Sequence, residues 1–159
     1  MKKLLFVFVG LLCSVGIFAQ TNFQELSLEK ACEQARAENK AIFLDCYTSW
    51  CGPCKIMANN VFTLEAAGDY FNKNFVCVKV DMEKGEGVEL RKKYGVHAYP
   101  TLLFINSSGE VVYRLVGAED APELLKKVKL GVESGGLSGL KKRYEAGDRD
   151  LAFICGYIN

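Results

Sequence analysis

Two cysteines three residues apart, Cys51 and Cys54, stand in the stretch Trp50-Cys51-Gly52-Pro53-Cys54-Lys55. Three chemistries are open to such a pair: metal ligation, a structural staple, and thiol–disulfide exchange. A structural zinc site takes four ligands, usually from two such pairs or from one pair and two histidines. No second pair is present and His97 is the only histidine, so ligand count speaks against a metal. A purely structural Cys51–Cys54 disulfide closes a very short loop and stabilises little. Exchange is the reading that gives the intervening residues something to do.

The surrounding pattern puts the pair at the mouth of a helix. A hydrophobic run, Ala41-Ile42-Phe43-Leu44-Asp45, leads in, and a helical pattern follows through Lys55, Ile56, Met57 and Ala58. A cysteine at a helix N-terminus meets unpaired backbone N–H groups and the positive end of the helix dipole. Both favour thiolate, drawing the pKa from ~8.5 toward ~7. Cys51 comes first and is expected to be the nucleophile. Cys54, one turn in and less exposed, is expected to attack the mixed disulfide and release the product. Pro53 lacks an N–H and suits the first turn, where none is needed. Gly52 leaves room for an approaching substrate sulfur, and Trp50 offers an apolar wall beside it.

Two further residues are out of place unless they serve the pair. Asp45 is a carboxylate inside an apolar strand, where burial is costly. Burial raises its pKa, which suits a proton acceptor for Cys54. The competing reading is a structural Asp45, paired with a lysine or capping the turn at Thr48-Ser49. Pro100 interrupts a strand pattern and belongs at its start or at an edge; periodicity does not decide whether Tyr99–Pro100 is cis. His97, in Gly95-Val96-His97-Ala98, reads as a loop or strand-edge residue.

The elements that must position these groups follow from periodicity. Ser27 caps a helix with Leu28, Ala31, Cys32 and Ala35 on one face. Ala41 to Tyr47 is a strand buried on both faces. After the Cys51 helix comes a second helical piece with Leu64, Ala67 and Phe71, then a strand from Phe75 to Asp81. Glu83 to Gly87 is a loop, Val88 to Tyr94 a short helix, and Gly95 its stop. Val96 to Ile105 is extended, Asn106 to Gly109 a hairpin turn, and Val111 to Val116 the return strand. Pro122 opens a helix with Leu124, Leu125, Val128 and Val132. This order predicts an α/β/α sandwich of three layers around a mixed sheet of about four strands.

With 159 residues, half of them hydrophobic and a quarter charged, the chain holds one domain with a real core. A net charge of +1 shows no bias toward nucleic acid or anionic membranes. Met1-Lys2-Lys3 followed by the uncharged run Leu4 to Phe18 and Ala19 reads as a secretory signal peptide over 1–19. Cleavage there takes the charge from +1 to −1 and leaves six of seven cysteines. The run is short for a membrane span, so no lasting membrane insertion is expected. The main domain spans 20–134, and Gly135-Gly136 opens a C-terminal helical extension, 135–159, with helical patterns at Leu137 to Tyr144 and Leu151 to Ile158.

Taken together, these residues resemble the thioredoxin family. Trp50 to Lys55 is similar to its active-site motif, and Asp45 matches its buried aspartate. Tyr94 to Leu102 resembles its cis-proline segment, and Ser108 to Gly117 its last hairpin. The resemblance covers about 27–133. It implies the thioredoxin fold, a cis Tyr99–Pro100 bond facing Cys51, and thiol:disulfide exchange with protein substrates, without a cofactor. Tyr99 and Pro100 would then join Trp50, Gly52 and Pro53 in binding substrate. The leader and the loop at Glu83 resemble exported, periplasmic members. The C-terminal domain of the bacterial membrane thiol:disulfide interchange reductase is similar. The Gly-Pro dipeptide resembles that of reducing members, which implies a membrane electron donor. Two departures stand out: Cys46 occupies an aromatic position, and Cys77 is expected where the family has a lysine beside the aspartate, with Lys79 two residues on.

Overall fold

A computed structural model describes residues 20–147. The expected leader and the second helical pattern of the tail lie outside them, as does Cys155. Ten elements follow in order: α1 (Leu28–Glu38), β1 (Ala41–Tyr47), α2 (Gly52–Asn60), α3 (Glu65–Asn74), β2 (Phe75–Asp81), α4 (Gly87–Tyr94), β3 (Thr101–Ile105), β4 (Val111–Val116), α5 (Ala121–Glu133) and α6 (Gly136–Glu145). The strands form one sheet in the order β2-β1-β3-β4. β1 and β2 are parallel, as a helical crossover requires, and the other pairs are antiparallel.

Period-2 alternation along β1 divides the core into two layers. Phe43 faces one side, where Met57 of α2, Phe71 of α3, and Leu124 and Val128 of α5 cover it. Its ring stacks on Phe71 and Phe104, with centroids at 4.4 and 5.3 Å. Ile42, Leu44 and Cys46 face the other side, under Leu28, Ala31 and Ala35 of α1 and Leu90 of α4. Asp45 has the parity of Phe43, so it lies on the α2 side.

Local signals explain the element ends. Ser27 Oγ accepts from Lys30 N at 3.3 Å and starts α1. Asn39 ends it in the left-handed region, at φ 52°. Gly109, at φ 86°, turns the β3–β4 hairpin. The expected long extended stretch from Val96 is shorter: the ladder begins only at Thr101. Pro100 has no N–H to give the ladder, so residues 96–100 form a loop instead. α6 packs on α5 and β4. A Cβ on Gly136 would stand 1.8 Å from Val112 O, so only glycine allows that approach.

Candidate active site

α2 presents the cysteine pair as the pattern predicts. Cys51 is its N-cap residue, with Gly52 and Pro53 opening the helix. Cys51 and Cys54 are joined as a disulfide, with Cα atoms 5.3 Å apart. The Cys54 N–H donates to Cys51 Sγ at 3.1 Å. A free N–H of the first turn thus points at the sulfur where a thiolate's charge would sit. A side chain at Gly52 would meet nothing within 4 Å, so the glycine keeps open space beside the pair. The expectation that Cys54 is the less exposed of the two does not hold in the disulfide form. Cys51 is 2% and Cys54 5% exposed.

Trp50 stands 65% exposed next to the pair. Its indole Nε1 donates to Glu83 Oε2 at 2.9 Å, and its ring meets Tyr99 edge-on with centroids 5.9 Å apart. Glu83 is a contact that sequence reasoning missed. The available signal was its place after β2, since parallel β1 and β2 end on the same edge of the sheet. Tyr99–Pro100 is cis, as the resemblance implies. Pro100 is buried, and its carbonyl accepts from Gly117 N at 2.9 Å. The structure therefore joins Trp50, next to the pair in sequence, to Tyr99 of a separate part of the chain, directly before the cis Pro100. His97 is exposed in the loop before them.

Asp45 is 5% exposed, and burial pushes its carboxyl up to about 7, against a smaller downward pull from Lys79. The expected Cys77 is not the residue beside it. In the parallel register Asp45 stands opposite Lys79, while Cys77 stands opposite Phe43. The two-residue difference follows from register, which a single strand's pattern leaves unset. A cleft of about 130 Å³ brings Asp45, Cys54, Lys55 and Lys79 together, with Thr48 in its wall. Asp45 Oδ1 and Thr48 Oγ1 are buried without a hydrogen-bond partner. Both residues line the cleft. Thr48 was legible only as a turn residue; its burial at 1% exposure reveals it.

The other described cysteines differ in kind. Cys46 is fully buried; burial pushes its thiol far up, the Asp45 charge adds to this, and Arg114 opposes it. Burial pushes Cys77 up to about 12, with Lys40 opposing. Neither ionises near neutrality. Cys32 is half-buried on α1. Among the described residues no group of three or more His, Cys, Asp or Glu is placed to hold a metal ion. No described helix is long and apolar enough to cross a membrane.

A disulfide-forming Cys-x-x-Cys pair at a helix mouth, in a four-strand mixed-sheet fold with a cis-proline directly before β3, defines a thioredoxin-like disulfide oxidoreductase. The profile of the thioredoxin-like domain matches residues 28–131, and the chain belongs to that family. Thioredoxin H4 of Arabidopsis thaliana is 37% identical over 97 residues, which make up 61% of this chain and 76% of that protein. Thiol:disulfide interchange protein DsbD of Pseudomonas fluorescens is 33% identical over 106 residues, 63% of this chain but only 18% of that protein. Among solved structures, a Bacteroides thetaiotaomicron protein provisionally described as a disulphide-isomerase is 69% identical. The match has a TM-score of 0.67 and covers 74% of this chain and 98% of that one. The DsbH oxidoreductase is 26% identical at a TM-score of 0.60, covering 77% of this chain and 88% of that one.

Proposed function

We propose that the protein is exported to the periplasm and reduces disulfides in other proteins. The observation that carries the exchange chemistry in this reading is the cleft in which Asp45, with a pKa raised to about 7, meets Cys54. The Cys51 thiolate attacks one sulfur of a substrate disulfide. A Cys51–substrate bond forms, and the other substrate sulfur leaves as a thiolate. Asp45 takes the Cys54 proton. The Cys54 thiolate then attacks Cys51 Sγ, forming the Cys51–Cys54 disulfide and expelling the second substrate thiolate. Two electrons have moved from the pair to the substrate. Asp45 suits this role because an acceptor works best with a pKa near the working pH. Trp50, Gly52, Pro53, Tyr99 and Pro100 form the surface on which the substrate lies.

The direction rests on the Gly52-Pro53 dipeptide, and export on the pattern of Met1 to Ala19. A reductant outside the cytoplasm needs its pair reduced again, so a membrane-borne dithiol donor serves as partner. The DsbD relative, a thiol:disulfide interchange protein by name, supports this class of chemistry. Equilibration with glutathione measures the potential. A value near −270 mV is expected, and one above about −150 mV overturns the reductant reading. The second reading, an isomerase, is favoured by the 69% identical Bacteroides structure and its provisional description. Refolding of scrambled ribonuclease separates the two: rapid recovery with catalytic amounts of the reduced protein favours the isomerase.

A further inference from the structure

We propose that Arg114 is a positioning residue for the reaction: its guanidinium fixes the loop that carries Pro100 and Tyr99, whose ring meets Trp50 next to Cys51. The inference rests on the proposed role of that loop in holding substrate.

α4 ends at Tyr94, and Gly95 follows in the left-handed region at φ 59°. The last carbonyls of a helix need partners from outside it. Gly95 N and Val96 N serve the carbonyls of Lys92 and Arg91. The carbonyls of Tyr94, the last helical residue, and of Gly95 after it are taken by Arg114: Nη2 donates to Tyr94 O, and Nη1 donates to Gly95 O at 3.1 Å. Five residues on, Pro100 O accepts from Gly117 N at 2.9 Å. Arg114 lies in β4, and Gly117 follows directly after its end. The loop from Gly95 to Pro100 is therefore fastened at both ends to one stretch of chain.

Between the fastenings the loop is packed rather than loose. Val96 is 1% exposed, and Thr101 Oγ1 donates to Ala98 O at 2.7 Å. Tyr99 packs partly into the α1–α4 core layer, and its ring meets Trp50. A shift at the Gly95 end would thus be carried to the rim of Cys51. Arg114 is half-buried, so its bonds are shielded from competing water. Its cation also complements the negative end of α4.

Arginine is required by geometry. The planar guanidinium fork reaches two neighbouring carbonyls at once, while a lysine ammonium is a single point on a flexible stem. Methionine keeps the apolar stem and loses both bonds. The series Arg114→Met and Arg114→Lys therefore separates the fork from the stem and the charge.

The test compares these variants with wild type in two reactions of the reduced protein. Insulin reduction needs a protein chain seated on the loop. Attack on dithiodipyridine, a small disulfide, needs only the Cys51 thiolate. Arg114→Met should raise KM for insulin about 10-fold, with kcat and the dithiodipyridine rate constant within about 2-fold of wild type. Arg114→Lys should recover part of this, leaving a KM about 3-fold raised. It carries the test if the methionine variant does not fold. An unchanged KM in the folded variants overturns the proposal, as does a parallel fall of both reactions, which marks a general loss of structure. If wild type itself shows no insulin turnover, the reductase reading falls and takes this proposal with it. Normal wild-type turnover with unmoved variants removes Arg114 alone.

Discussion

The first turn of α2 and the middle of the sheet both hold cysteines, and they treat them in opposite ways. At the helix mouth, Cys51 Sγ faces the Cys54 N–H at 3.1 Å, and the pair closes into a disulfide. In β1 and β2, Cys46 and Cys77 are walled in by apolar side chains on opposite faces, and burial drives both thiols up. Burial alone therefore does not separate the two sets, because Cys51 and Cys54 are nearly as buried in the disulfide form. What differs is the partner offered to the charge: backbone N–H groups at α2, hydrocarbon in the strands. Asp45 shows the intermediate case. It is enclosed at 5% exposure, and burial raises its carboxyl to about 7 against a smaller downward pull from the facing Lys79, while a cleft opens beside it toward Cys54.

The sharpest way to break this contrast is to remove each sulfur in turn. Cys51→Ser should cut insulin reduction at least about 10³-fold. Cys46→Ala and Cys77→Ala should leave the rate within about 2-fold, since neither thiol ionises near neutrality. A large loss of rate in a stably folded Cys46→Ala would put the strand interior into the mechanism.

Asp45→Asn comes next and should act in two directions. It should slow release of the mixed disulfide by about 10²-fold, the scale of a lost general base. It should also stabilise the protein. The folded carboxyl titrates near 7 and the unfolded one near its ordinary value of 3.8. Between those values the folded state binds more protons, so stability falls as pH rises through that window. The loss reaches roughly 4 kcal/mol above pH 7, and asparagine should abolish it. Urea melts of both proteins at pH 4 and pH 8 read the difference; equal pH slopes would show that Asp45 is not buried as described.

The stability cost of Cys46→Ala or Cys77→Ala should be about 1–2 kcal/mol, the scale of a small cavity in a packed core. Chemical denaturation measures it. Lys79→Met should have the smallest effect. Losing a nearby cation lets the Asp45 pKa rise further, so the pH midpoint of mixed-disulfide release should move upward. The move should be under about one pH unit, because Lys79 is exposed and its field is screened by solvent. A downward move would contradict the assigned pairing across β1 and β2.

Much of this was legible in the chain. Period and capping gave the elements in order, because Ser27, Asn106 to Gly109 and Pro122 punctuate strongly amphipathic segments. The Cys51–Cys54 pair and Asp45 stood out because each breaks the local pattern. Relations between strands were not legible. Placing Lys79 rather than Cys77 opposite Asp45 needed the β1–β2 register, which one strand does not specify. Glu83 under Trp50, and Arg114 on the loop before Pro100, also join segments far apart in sequence. Nothing in a local window marks such contacts.

The most direct test of the contrast is to trap the intermediate. Cys54→Ser, reduced and mixed with a protein disulfide, should accumulate a mixed disulfide on Cys51, with Cys46 and Cys77 still free thiols by peptide mass. An adduct on Cys46 or Cys77, or none on Cys51, would contradict the account.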